Sequence, residues 1–217
     1  MREDDILENL LGLTDRHALA KAEERLSKLR AIELFDADLL RGRKPGTYET
    51  LAHIHFQLFQ DVHPFAGKLR IQNISKGDFR FASVIYLSEN VAKIEQMQQT
   101  TFDEVVEKYV EMNIAHPFRE GTGRSGRIWL DHILTASLGV AVDWSRVDKQ
   151  DYLLAMRSSP IKDLEIKHVL SAALTDKVRD RLLFMKGIDA SYGYEGLDVY
   201  RAESLARERQ ARRGRQK

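Results

Sequence analysis

The chain has 217 residues, with 34 Lys and Arg against 33 Asp and Glu, so length and charge describe one domain carrying almost no net field. With 43% hydrophobic residues, 31% charged residues and only four prolines, it can bury a core and favours helix over strand, which excludes disorder and collagen-like order. It has no cysteine, so disulfides, thiolate zinc sites and a cysteine nucleophile are excluded. Met1-Arg2-Glu3-Asp4-Asp5 runs straight into an amphipathic stretch with no apolar signal core, and no run of about 18 apolar residues occurs. The expectation is a protein that begins life in the cytoplasm, with no membrane partner.

In chain order, Leu19, Ala22, Leu26, Leu29, Ile32 and Leu34 stand at helical spacing among charges and predict a helix over 16–33 with that face buried. Gly42, Pro45 and Gly46 punctuate. Thr47 then opens a second helix over 48–62, with Leu51, Ile54, Leu58 and Val62 inward, that stops near Pro64. From Asn73 to Leu87 the period falls to two around Gly77, which predicts a short hairpin or extended flap. Helical spacing returns at 88–97 and after Thr101, where Val105, Val106, Tyr109, Val110 and Ile114 share a face. That helix ends at His116-Pro117, because a residue before proline is pushed out of the helical region. A strongly apolar helix with Ile128, Trp129, Leu130, Ile133 and Leu134 ends near Gly139, and helices are expected at 148–157, 162–174 and 176–186. Residues 201–217 are arginine-rich and nearly free of apolar side chains, and read as a frayed basic helix or disordered tail.

The segment His116-Pro117-Phe118-Arg119-Glu120-Gly121-Thr122-Gly123-Arg124-Ser125-Gly126-Arg127 is unlike the rest. Gly121 and Gly123 can take backbone conformations closed to other residues, so consecutive N–H groups can turn inward on an anion at the positive end of the next helix. Arg124 and Arg127, three apart, share a helix face and can clamp successive phosphates. Glu120 is a hard oxygen ligand suited to a phosphate-bound magnesium ion, and His116 is a candidate general base at neutral pH.

This segment resembles the Fic-domain signature HxFx[DE]GNGRxxR, with Thr122 where the family has asparagine. The stretch Asn73 to Ala82 resembles the family's flap. The resemblance implies a mainly all-α Fic fold, a helical bundle with a small β-hairpin flap, acting as a protein adenylyltransferase that uses ATP and Mg2+. Carried over by position, His116 deprotonates the target hydroxyl, Phe118 anchors the loop and Glu120 holds magnesium. Gly121, Thr122, Gly123 and Arg124 cradle the phosphates, Arg127 holds the γ-phosphate, and Lys149 to Tyr152 contribute to the adenine pocket. In the flap, Lys76 and Gly77 contact nucleotide, while Ser75, Asp78, Phe79, Arg80 and Phe81 position the target. Gly123, rather than lysine, at the second glycine favours AMP over phosphate transfer.

Ser191-Tyr192-Gly193-Tyr194-Glu195-Gly196 resembles the family's inhibitory motif [ST]xxxE[GN], placed as in the single-domain class with a C-terminal inhibitory helix (class III). Ser191 and Glu195 are expected on one helix face, with Glu195 paired to Arg127. The resemblance further implies the ATPase subunits of DNA gyrase and topoisomerase IV as targets modified on a Tyr, Ser or Thr, a homo-oligomer that holds the brake, and self-modification of Tyr192 or Tyr194 that releases it. The expected organisation is an extension over 1–15, a catalytic domain over 16–186 with its core at 50–186, an inhibitory helix over 187–198 and a basic flexible tail over 199–217. The rival readings are a Fic enzyme that transfers another group or removes AMP, and a nucleotide-binding module without turnover; nucleic-acid contact through the tail is the minority reading. His63-Pro64-Phe65 repeats the start of the motif and reads as a structural turn. His53 and His55, two apart on a helix, do not make a metal site. Trp129 and Trp144 read as core.

Overall fold

The structure, a computed structural model, describes residues 6–76 and 79–214. Gly77, Asp78 and residues 1–5 and 215–217 lie outside the described residues. Nine helices make up the described fold: α1 Arg16–Asp36, α2 Tyr48–Phe59, α3 Leu87–Glu95, α4 Phe102–Ala115, α5 Thr122–Leu138, α6 Lys149–Ser158, α7 Leu164–Ser171, α8 Arg181–Gly193 and α9 Ala202–Gly214. Two small antiparallel pairs accompany them: β1 Ser75–Lys76 with β2 Phe79–Arg80, and β3 Ala141–Val142 with β4 Leu174–Thr175. No described helix is long and apolar enough to cross a membrane.

Helix starts follow local chemistry. Asp15, Thr47, Asp148 and Asp180 accept from backbone N–H groups at the starts of α1, α2, α6 and α8. Thr101 and Glu104 form a reciprocal capping box on α4. The core runs between α2, α4 and α5. Leu51, Ile54, Leu58, Val105, Val106, Tyr109, Trp129, Leu130, Ile133 and Leu134 are all buried there, and Trp129 donates its ring N–H to Thr47 O at 3.0 Å. The faces predicted for α2 and α5 are therefore the ones the structure buries. Trp144 is core as well, with its Nε1 on Asp131 Oδ2 at 2.8 Å.

Three expectations are corrected. The predicted face of α1 is only half right: Leu19 and Ile32 are buried, but Ala22, Leu26 and Leu29 are intermediate, and the deepest positions include Glu23, Glu24, Ser27 and Lys28. These polar residues go inward because arginine, histidine and aspartate from other elements meet them there. The helix expected over 176–186 starts only at Arg181, where Asp180 caps it, and continues to Gly193, so the end of the expected 16–186 domain and the first part of the helix expected over 187–198 lie on one uninterrupted α8. Finally, of the two readings of the tail, frayed helix or disorder, the structure has a helix, α9, but one docked by Ala202, Leu205 and Ala206 against α1 and α8 and not free. Three small or apolar side chains on one face were enough to dock it, and the arginine content concealed them.

Candidate active site

The chain turns from α4 into α5 through the motif. Helix α4 stops at His116, which adopts φ 47°, one of two non-glycine residues in the left-handed region among those described. Arg70 holds this turn together. Its Nε donates to His116 O at 2.7 Å, Nη2 to Ala115 O at 3.0 Å and Ala82 O at 2.5 Å, and Nη1 to Gln72 O at 2.8 Å. One guanidinium thus satisfies carbonyls that a helix end leaves orphaned and ties both arms of the flap to them. Phe81 stacks on the His116 ring at 3.8 Å and on Phe79 edge-on at 5.1 Å, so both aromatics are partly packed inward while Ser75, Lys76 and Arg80 are exposed.

The His116 ring has its Nδ1 at 3.3 Å from Asn113 O. A carbonyl only accepts, so this contact assigns the proton to Nδ1 and leaves the Nε2 lone pair available. Burial, with Arg70 and Lys76 nearby, lowers the imidazole to about 4 despite the opposing Asn113 contact. The ring is therefore a neutral base at physiological pH.

The loop itself is built from inside. Phe118 is fully buried and stacks on His55 at 3.8 Å. His55 accepts the Gly67 N–H at Nδ1 (2.9 Å), so Nε2 carries the hydrogen and donates to Glu120 O at 2.8 Å. Burial pushes it down to about 3, which keeps it neutral for this structural task. Gly121 has φ 75°, and a Cβ there would meet the Phe59 ring at 2.4 Å, so only glycine fits on both counts. Gly123 is different: it lies inside α5 with ordinary helical backbone, and what it supplies is space, since a Cβ would come within 3.1 Å of Glu195 Oε1 and 3.2 Å of Arg127 Nη1. The Thr122 hydroxyl turns into the loop, bonding the Phe118 N–H and carbonyl at 3.4 Å each, and so braces the turn.

Arg124 and Arg127 are buried, and neither belongs to a solvated face. Arg124 pairs with Glu23 (2.6 Å), Glu120 (3.0 Å) and Glu195 (2.8 Å), and its guanidinium lies near the rings of Phe59 and Tyr192. Arg127 donates Nε to the Ser191 hydroxyl (2.6 Å) and Nη2 to Ser191 O (2.8 Å), pairs with Glu195 (3.2 Å), and sits over the Tyr152 and Tyr194 rings. Glu195 thus bridges both arginines, where Arg127 alone was expected. It does so from a turn just beyond α8, not from the same helix face as Ser191. Tyr152 is buried, its hydroxyl on that of Tyr109 at 2.5 Å, so in this state it supports Arg127 instead of lining an open groove. Lys149 Nζ donates to Gly193 O at 2.9 Å, pinning the end of α8. Tyr192 and Tyr194 are both buried, and the Tyr194 hydroxyl donates to the Trp144 and Val147 carbonyls.

The side chain of Glu120 is partly exposed and accepts from Gly121 N and Arg124 at 3.0 Å. No cluster of three or more His, Asp or Glu able to hold a metal exists among the described residues. A lone carboxylate nevertheless suits magnesium delivered on a nucleotide, because that ion takes one or two carboxylates and fills its shell with phosphate oxygens and water. The sequence reading gives Glu23 and Arg70 no role and takes His55 only as no metal ligand. The one available signal was a charge, Glu23, at a position spaced to be buried.

A helix N-terminus with two converging arginines beside a neutral histidine defines a class of site, one made to hold an anion next to a proton acceptor. A family model described as Fic/DOC family matches residues 45–134. A protein of Escherichia coli named Probable protein adenylyltransferase Fic is 30% identical over 171 residues, which span 74% of this chain and 82% of that one. Its namesake in Salmonella typhimurium is 29% identical over 184 residues, 79% and 89% of the two chains. The N-terminal Fic domain of a VirB-translocated effector of Bartonella quintana, solved with bound ADP, shares the fold with a TM-score of 0.67 at 19% identity, over 80% of this chain and 92% of that one. The chain belongs to the Fic/DOC family.

Proposed function

We propose that this protein transfers AMP from ATP to a side-chain hydroxyl of a target protein and releases pyrophosphate. The observation that carries this reading is the seat of Glu195: an anion of the chain itself lies between Arg124 and Arg127 at the start of α5, where polyphosphate would bind. The target hydroxyl gives its proton to His116 Nε2 as its oxygen forms a bond to the α-phosphorus in line with the leaving group. The bond from that phosphorus to the bridging oxygen breaks, and pyrophosphate departs with the electron pair. Catalysis rests on positioning and on charge already in place. Glu120 would hold a magnesium ion, which when bound neutralises phosphate charge.

In this reading Glu195 is a brake, as in the class with a C-terminal inhibitory helix, and Ser191 holds Arg127 in the braked state. Self-modification of Tyr192 or Tyr194 then requires the end of α8 to leave its seat, since both rings are buried. The ATPase subunits of DNA gyrase and topoisomerase IV are the candidate targets by resemblance, and a homo-oligomer that holds α8 belongs to the same proposal.

The test is incubation of the Glu195→Gly protein with α-labelled ATP and a bacterial lysate, with His116→Ala in the same background. At least tenfold more labelled protein than with the unaltered chain, lost in the double variant, is expected. ATP binding without label would replace this reading with a nucleotide-binding module, and label arriving only from γ-labelled ATP would indicate phosphate transfer.

A further inference from the structure

Arg124 is held by hydrogen bonds to Glu23 and Glu120 and by two neighbouring rings, while its Nε, 2.8 Å from Glu195 Oε2, has an ion pair there but no hydrogen bond. Its guanidinium lies 4.8 Å from the Phe59 ring centre and 5.2 Å from that of Tyr192, which fixes the plane of the group. Nη1 donates to Glu23 and Nη2 to Glu120, while Nε lies against Glu195 as an ion pair without a hydrogen bond. The last two are the groups that the proposed reaction must displace or redirect, Glu195 by the polyphosphate and Glu120 toward a cation. Glu23 is the carboxylate that remains.

Glu23 is itself held on both oxygens. Oε1 receives Arg124 Nη1 at 2.6 Å, and Oε2 lies 2.5 Å from His63 Nε2. The opposite nitrogen of His63 is 3.1 Å from Glu8 O, and its ring stacks on Phe65 at 4.6 Å. Burial pushes the Glu23 carboxyl up, but Arg124 and His63 outweigh it and hold it at about 2, so it stays a charge. The His63-Pro64-Phe65 turn, which repeats the motif's opening letters, thus has a task of its own.

We infer that Glu23, gripped by His63, is a positioning residue for nucleotide: it locks the rotation of Arg124 so that Nε and Nη2 face the phosphates once Glu195 has left. A carboxylate shared between an arginine and a histidine cannot swing, and an arginine held on one edge presents the other as a preformed fork, which spares ordering entropy on binding. The inference rests on the reading that nucleotide phosphates occupy the Glu195 seat.

The experiment places Glu23→Gln and, separately, His63→Asn in the full-length Glu195→Gly protein. It measures ATP affinity by calorimetry, AMP transfer as a function of ATP concentration, and thermal unfolding. Glu23→Gln keeps the size of the side chain and removes its charge. The expected result is a Kd and KM for ATP raised about tenfold with kcat within threefold, and a smaller change of the same kind for His63→Asn. A purely structural role predicts a lower unfolding temperature with Kd and KM within twofold of the parent in both variants, and that outcome overturns the inference. Should Glu195→Gly bind ATP yet transfer no AMP, the proposed function fails while calorimetry still decides the role of Glu23.

Discussion

Arg70 shows how much one buried side chain can organise. Its four bonds to carbonyls of Gln72, Ala82, Ala115 and His116 join the end of α4, the base of the flap and the backbone of His116. Arg70→Met would keep much of the stem and delete every donor, leaving buried acceptors unpaired. A loss of about 3 kcal/mol in urea unfolding is expected, with faster amide exchange across 79–81, and Arg70→Lys should recover little because a point charge cannot serve a fork of carbonyls. Gly121→Ala should be worse for the site than for the fold: the left-handed backbone and the Phe59 ring both oppose it. ATP affinity should fall at least tenfold by calorimetry while the helix content in circular dichroism is kept. An unchanged affinity would mean that the loop does not need that turn. Of these two residues only Gly121 was legible in the sequence, since its role is local, whereas the partners of Arg70 lie as far as 46 positions away.

At the scale of elements, the end of α8 is clamped by charge. Lys28 of α1 is buried against Glu24 and Asp189, both at 3.0 Å, and donates to Tyr200 O at 2.6 Å. Glu24 accepts the Val199 and Tyr200 N–H groups, and Asp189 accepts that of Ala202 at the start of α9. Helices α1, α8 and α9 therefore share one buried cluster, and α8 delivers Ser191 and, just past its end, Glu195. Lys28→Met removes the cation beside the buried Glu24 and the half-buried Asp189 and should cost about 3 kcal/mol of stability. It should also raise AMP transfer by the otherwise unaltered chain several-fold, because the turn carrying Glu195 loses its anchor. Denaturation and labelling assays check both, and destabilisation with labelling at the unaltered level would show that the clamp does not reach Glu195. The sequence placed α1 but not the bounds of α8 nor the relations of these helices: Lys28 and Asp189 look like surface charges until α1 and α8 are packed together.

For the whole molecule, buried titratable groups set the pH dependence of stability. His55 and His116, held at about 3 and about 4, stay neutral in the folded state while the unfolded chain takes up protons below about 6.5. The unfolded state thus binds more protons from pH 4 to 6.5, so stability rises with pH there, by about 1.4 kcal/mol per unit for each histidine. Asp131, pushed up to about 7 by burial, works in the opposite direction, because the folded state holds its proton from the ordinary carboxylate range up to about 7. Urea unfolding at pH 4.5, 5.5 and 6.5 should show a rise with pH that becomes steeper in Asp131→Asn and shallower in His55→Gln; a flat series would contradict the burial of these groups. The sequence by itself determined the helical class, the apolar faces of α2 and α5 and the glycine turn that follows His116, because periodicity, glycine placement and short motifs act over a few residues. Only the tertiary structure decided that α1 turns Glu23 and Lys28 inward, that α9 docks, that Glu195 bridges two arginines, and that His55 and Arg70 hold the loop. A buried charge is tolerated only beside its partners, and for Glu23 and Arg124 those partners are brought together across 101 positions by the packing of helices.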